Sequence, residues 1–192
     1  MLYAIDQSGK KTGARPGALG HCPACGAEMT PKCGDINVWH WAHKTESACD
    51  YEPETLWHSE LKRMWAFENQ EIVKTKLGQK RIADIITNSG TTIEFQHSPI
   101  SVRTVSAREY FWNKMIWVFD ARAAFDADRL TLNDKDGYYT FRWKHARKVI
   151  AICNAPVYLD LGPYIFLIKK VYLGPPFAGW GRLYEHRGLI DL

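Results

Sequence analysis

A chain of 192 residues that is 46% apolar and 13% aromatic can bury one substantial core and a small appendage, but not several large domains. With 24% charged residues and no apolar run near the ~20 residues of a spanning helix, the composition excludes a disordered chain and a helical membrane protein. A formal net charge of +4 permits a nucleic-acid partner without requiring one.

The first segment, MLYAIDQSGKK, carries no apolar signal-peptide core. Of the five cysteines, Cys22, Cys25, Cys33 and Cys49 cluster, and only Cys153 lies apart. An odd count without a secretory signal argues against a disulfide framework and for a reducing, cytoplasmic setting, where clustered thiols bind metal. Cys22-Pro-Ala-Cys25-Gly26 has zinc-knuckle spacing, and His40-Trp-Ala-His43 and then Cys49 follow it. The expected Zn²⁺ ligands are Cys22, Cys25, His43 and Cys49, with His40 as the substitute. Cys33, beside Gly34 in a turn, is the weakest candidate. Four protein ligands describe a closed structural site, and a module of this size needs such a staple to fold. Trp39 and Trp41 are expected to pack the module against the next domain, base stacking being the alternative.

Pro53 suits the start of a helix running to about Asn69, with Trp57, Leu61, Met64 and Trp65 as its buried stripe. Glu54, His58 and Lys62 lie at i, i+4 and i+8, on one line of that helix. Glu71–Lys76 alternates like a half-exposed strand. Ile82–Thr87 and Thr91–Gln96 are β-rich runs joined by Asn88-Ser89-Gly90. A helix from Ser101 to about Asn113 precedes Met115–Phe119, a wholly apolar run expected as a central strand. Beyond Asp120, Leu130–Leu132 and Tyr138–Trp143 flank a turn-rich stretch. A basic run follows (Arg142, Lys144, His145, Arg147, Lys148), then strands Val157–Leu161 and Tyr164–Tyr172 and a Gly/Pro-rich tail. This order predicts an α/β fold with a mixed sheet. The expected domains are a zinc-binding module over 1–50, a core over 51–150 and a C-terminal β extension over 151–192.

Two acids stand in otherwise apolar strands of the predicted hairpin, Asp84 and Glu94. A three-residue loop with Gly90 in the left-handed conformation pairs Thr87 with Thr91 and sets Asp84 opposite Glu94, whereas a two-residue loop would separate them by face. Gln96 shares the face of Glu94. Facing carboxylates repel, and a divalent cation, Mg²⁺ or Mn²⁺, would resolve the conflict. The plainer alternative is a pair of solvated acids on an exposed face.

The segments RIADI (81–85), IEFQHSPIS (93–101) and REYFWNKMIWVFD (108–120) together resemble the PD-(D/E)XK nuclease core of the competence protein CoiA-like family. CPACG…WHWAHK…CD resembles that family's zinc segment, and ETLWHSELK (54–62) its Glu-x3-His-x3-Lys helix. The resemblance spans roughly residues 20–120. It implies a restriction-endonuclease-like mixed sheet flanked by helices. It also implies a metal-dependent nuclease acting on DNA, with Asp84, Glu94 and the Phe95 carbonyl as ligands of the catalytic Mg²⁺ or Mn²⁺. Gln96 stands where the signature lysine normally stands, and glutamine carries no charge to stabilise the phosphorane. By the same resemblance, Lys62 or His58 would supply that charge and Glu54 would complete the metal shell. Lys74, Lys76, Lys80, Arg81 and the run Arg142–Lys148 are candidates to hold the DNA backbone, and His97 is expected to be a structural hydrogen-bonder. Two other readings stand beside the nuclease: a non-catalytic nucleic-acid-binding module that kept the fold, and a zinc hydrolase using the front cluster.

Overall fold

The computed structural model describes residues 1–36, 38–45, 49 and 54–190. It is a mixed α/β protein with few helices, divided into two units, Met1–Ile86 and Thr87–Leu192.

The first unit opens with five short strands, β1 (Tyr3–Ile5), β2 (Lys11–Gly13), β3 (Gly20–His21), β4 (Glu28–Lys32) and β5 (His40–His43), in the order β2-β1-β3-β4-β5. Their turns are locally specified. The Asp6 carboxylate accepts from the backbone N–H groups of Ser8 and Lys10, closing the β1–β2 turn. Between β3 and β4 the Cys22 N–H reaches the Ala27 carbonyl at 2.8 Å, and Gly26 takes a φ of 76°. Trp41 is fully buried with Met1, Ala4, Cys22 and Met29, and Ile82 packs against this cluster. Trp41 is thus first a core residue of its own sheet, while Trp39 is 48% exposed.

Helix α1 (Leu56–Lys62) is capped by Thr55, whose Oγ1 accepts from the His58 N–H. Pro53, the expected start, lies outside the described residues. The helix ends at Lys62, well before Asn69: Gln70 is buried and its side chain donates to the Trp65 carbonyl at 2.7 Å, fixing a chain reversal there. Strands β6 (Gln70–Lys76) and β7 (Gln79–Ile86) form an antiparallel hairpin. Its two-residue turn, Leu77-Gly78, has positive φ at both positions, which matches the twist of the strands. Within β6, Gln70 pairs with Ile85 and Ile72 with Ala83, an unbroken register that sets Glu71, with φ 45°, opposite Asp84.

The second unit begins with the turn at 88–90. Thr87 and Thr91 pair through a 2.9 Å hydrogen bond, and Gly90 sits at φ 77°, the three-residue loop expected from the sequence. There follow β8 (Thr92–Gln96), α2 (Val102–Trp112), β9 (Met115–Asp120), α3 (Arg122–Asp126), β10 (Leu130–Asp134), β11 (Tyr139–Trp143), β12 (Val157–Asp160), β13 (Tyr164–Tyr172) and β14 (Phe177–Glu185). The strands run in the order β10-β11-β14-β13-β12-β9-β8. β9 is parallel to both β8 and β12, and the remaining pairs are antiparallel, so this is the expected mixed sheet with Met115–Phe119 inside it. One sheet face packs Trp117, Phe119, Leu159, Phe166 and Phe141 together with Val105 of α2.

The Gly/Pro-rich tail contains β14, an internal strand that the sequence reading missed. Its glycines serve close packing. A Cβ on Gly179 would lie 2.0 Å from the Lys170 carbonyl oxygen and 2.7 Å from Phe141, and one on Gly181 would lie 2.2 Å from the Leu167 carbonyl oxygen. Gly179→Ala is expected to destabilise the second unit by about 1–3 kcal/mol through overpacking. Urea denaturation followed by tryptophan fluorescence measures it, and an unshifted midpoint would show that β13 yields to the methyl group.

Among the described residues, no helix is long and apolar enough to cross a membrane.

Candidate functional site

The first unit gathers three carboxylates around one lysine. α1 directs Lys62 inward, where its Nζ lies 3.0 Å from Glu54 Oε2, 2.9 Å from Glu71 Oε1 and 3.0 Å from Asp84 Oδ1. Glu54 was expected on one helical line with Lys62, but it precedes the Thr55 cap and only Lys62 lies within α1; Asp84 comes from β7, and Glu71 was read as part of a half-exposed strand. Its positive φ accompanies the difference. The side chain turns inward and its two oxygens accept the N–H groups of Leu2 and Tyr3 at 2.8 and 3.0 Å. The one sequence signal was a carboxylate near the start of a strand, which does not reveal a positive φ.

Burial alone would push Lys62 down, but Asp84, Glu71 and Glu54 together hold it well above its ordinary value, as an ammonium. Burial would likewise raise Glu71. Lys62, the Met1 amino group and the Leu2 N–H outweigh it and lower that carboxyl. Met1 N lies 3.4 Å from Glu54 Oε2. Three carboxylates therefore face the Lys62 ammonium, and one of their oxygens, Glu54 Oε1, is buried without a hydrogen-bond partner among the described residues. Asp84 is the most accessible of the acids, with its side chain 20% exposed. A hard cation is the ligand such an acid set accepts. His58 is buried and its Nδ1 lies 2.8 Å from Thr55 Oγ1, and Lys62, the other expected charge donor, reaches Asp84.

In the second unit, β8 carries Glu94, Phe95 and Gln96, all buried. Arg108 on α2 donates to Glu94 Oε2 at 3.1 Å. Gln96 Nε2 donates to the Ser98 carbonyl at 2.8 Å, and the Phe95 ring is part of the interior. Each acid thus has a base distant along the chain, Lys62 for Asp84 and Arg108 for Glu94. His97 lies 2.8 Å from Asp120 Oδ2, which also receives Arg122, in keeping with the structural role expected for it.

The basic candidates separate. In the β6–β7 hairpin Lys74 stands opposite Arg81 and Thr75 opposite Lys80, with Lys74 and Lys80 exposed. Arg147 instead spends its guanidinium on the Gln96 carbonyl at 3.2 Å and the His97 carbonyl, so it braces the end of β8.

The Cys/His group is built by the β3–β4 knuckle, β5 and Cys49. The ligand atoms of Cys22, Cys25, His43 and Cys49 all lie within 4.8 Å of one another, a group that can hold a metal such as zinc. Cys22 Sγ lies 3.7 Å from Cys49 Sγ, and Cys25 Sγ lies 3.4 Å from His43 Nε2. Burial, with the adjacent sulfurs, pushes the Cys49 thiol up to about 12, a cost that a bound cation would offset. His40 stands outside the group, its Nδ1 2.7 Å from the Val38 carbonyl. The reason is strand geometry. His-x-x-His on β5 puts the two imidazoles on opposite faces, whereas on a helix they would share one. Cys33 is also outside the group.

Residues 20–52 match the family model for competence protein CoiA, N-terminal domain, a span that contains all four members of the Cys/His group and supports a relationship to that family. No curated protein and no solved structure matches the chain.

Proposed function

We propose that the protein is a divalent-cation-dependent nuclease related to competence protein CoiA, hydrolysing phosphodiester bonds of DNA in the cytoplasm on a PD-(D/E)XK-type core. The observation that carries this reading is the acid cluster of the first unit. There Glu54 Oε1, buried and without a partner among the described residues, stands in one group with the accessible carboxylate Asp84. The resemblance of residues 81–85, 93–101 and 54–62 to the nuclease segments supports it, as does the match over residues 20–52.

In this reading Asp84 and Glu94 hold Mg²⁺ or Mn²⁺, with Glu54 and the Phe95 carbonyl completing the shell. The ion, when bound, lowers the pKa of a water and neutralises charge on the scissile phosphate. Lys62, kept as an ammonium by its carboxylates, supplies the positive charge that Gln96 lacks. Gln96 orients by hydrogen bonding alone. Lys74, Lys80 and Arg81 hold the phosphate backbone.

Incubation of supercoiled and linear DNA with Mn²⁺ tests the proposal. Asp84→Ala is expected to lower the cleavage rate by about 100-fold or more, as removal of an electrostatic anchor of the reacting groups does. Cleavage that survives Asp84→Ala unchanged would overturn the assignment.

A second reading, a nucleic-acid-binding protein without cleavage activity, is favoured by the Glu94–Arg108 ion pair at 3.1 Å, which already spends the negative charge of one acid. Its signature is DNA binding with no cleavage under any divalent cation.

A further inference from the structure

The second unit carries a solvent-facing sheet surface that the nuclease reading does not use. The registers of β10–β11, β11–β14 and β13–β14 decide which side chains share it. Thr131, Arg142, Ala178 and Tyr172 form one cross-strand row, and Asn133, Thr140, Trp180 and Lys170 the next. Arg182 and Tyr184 continue the same face along β14 by the strand's two-residue period. The opposite face is the hydrophobic interior, where Phe141, Phe166 and Trp143 lie.

The composition of the exposed face is unusual. It carries three exposed cations, Arg142, Lys170 and Arg182, and no salt bridge among the described residues engages any of them. No position of β10, β11, β13 or β14 on it holds a carboxylate: Asp134 pairs with Tyr139 and Glu185 with Tyr164, both in rows of the other face, and Asp160 of β12, reached from Tyr184 across Ile165, is buried beside His186. Its aromatic residues are displayed: Tyr172 is 51% exposed and Tyr184 39%. The Trp180 ring meets the Tyr138 ring edge-on at 5.7 Å, which fixes its orientation, and Lys170 Nζ lies 5.6 Å from the Tyr172 ring centroid. Ala178, the small residue between Arg142 and Tyr172, opens a shallow depression of about 610 Å³, which Thr131, Asn133 and Thr140 edge with polar groups.

We propose that this face of β10, β11, β14 and β13 binds single-stranded nucleic acid. Aromatic rings give unpaired bases a surface to stack on, and cations between them take the phosphates. A duplex hides its base faces, so the aromatic part of this surface serves only a single strand. The hydroxyl and amide groups of the depression suit a base edge better than an apolar partner surface. The inference stands independently of the nuclease reading, because neither Asp84 nor Glu94 contributes to this face.

The test is fluorescence anisotropy of labelled (dT)20 and (rU)20, single strands about 20 nucleotides long, and of a 20-base-pair duplex, a span of about 16 base pairs or more being enough for a duplex reader. The full chain is used with no added Mg²⁺ or Mn²⁺, so that cleavage does not enter. Binding of either single strand in preference to the duplex is expected, with quenching of tryptophan fluorescence. Tyr172→Ala is expected to weaken it about tenfold, the effect of losing one stacked base. Combined Arg142→Gln, Lys170→Gln and Arg182→Gln should flatten the slope of log affinity against log salt by about 2. Arg103→Gln, on the exposed side of α2, should do neither. Circular dichroism checks that each variant is folded, and the charge variants alone suffice if Tyr172→Ala is not. No binding, binding of duplex equal to single strand, or binding indifferent to both sets of changes would overturn the proposal.

Discussion

Replacing Lys62 by methionine is expected to destabilise the first unit by about 3–5 kcal/mol, the cost of removing one partner from a buried ion cluster. Its Nζ is within 3.0 Å of three carboxylates, and two of these, on Glu54 and Glu71, have only 2% of their side chains exposed. Methionine fills much of the same volume but leaves the three acids facing one another. They then relieve the repulsion by taking up protons, so the deficit of the variant against wild type shrinks as the pH is lowered from 7 towards 5. The wild type behaves in the opposite sense. Glu71 is held below its ordinary value of 4.5, so it contributes stability that is complete above that value and is lost as the pH falls through the lower folded-state pKa. Urea denaturation of both proteins at pH 7 and pH 5 measures the first effect, and of the wild type at pH 5 and about pH 3 the second. A Lys62→Met loss under about 1 kcal/mol at pH 7, the level of an exposed pair, would mean that the cluster is solvated rather than buried.

Part of this site was legible because its signals are local. Lys62 lies on the buried side of α1, although Glu54 precedes the Thr55 cap and so is not on its stripe, and Gly90 ends a turn whose type its neighbours dictate. The Cys-x-x-Cys knuckle is set by the reach of two thiols to one ion. Glu71 was not legible, since its positive φ goes with bonds to the distant Leu2 and Tyr3 N–H groups, which no local pattern announces. The end of α1 depends on the buried side chain of Gln70 and its bond to the Trp65 carbonyl. β14 was hidden for a similar reason. Gly179 and Gly181 read locally as loop residues, and only the rings of Phe141 and Phe166 against them show why a strand there must lack side chains. His40 was undecidable without knowing that its segment is a strand.

Removal of the metal should have the largest effect of all. Zinc held by Cys22, Cys25, His43 and Cys49 is expected at one ion per chain, with an apparent binding free energy of about 10–16 kcal/mol at pH 7, and chelation should unfold the five-stranded sheet. The sheet has little else to replace it: its buried cluster is five residues, and Cys22 is itself one of them. A polypeptide segment of this size does not bury enough apolar surface to order its backbone unaided. Losing Cys25 or Cys49 removes a ligand from a closed tetrahedron and should abolish retention of the ion through gel filtration. His40→Ala and Cys33→Ser should each retain it, because neither side chain reaches the group. Elemental analysis of purified wild type and of these variants, with far-ultraviolet circular dichroism before and after chelation, reads the result. Metal-free wild type with unchanged secondary structure would refute the site, whereas loss of the ion in His40→Ala would move the fourth ligand from where the geometry puts it. Because the thiols bind as thiolates, each displaced proton also ties affinity to pH, and retention should weaken as the pH falls below neutrality.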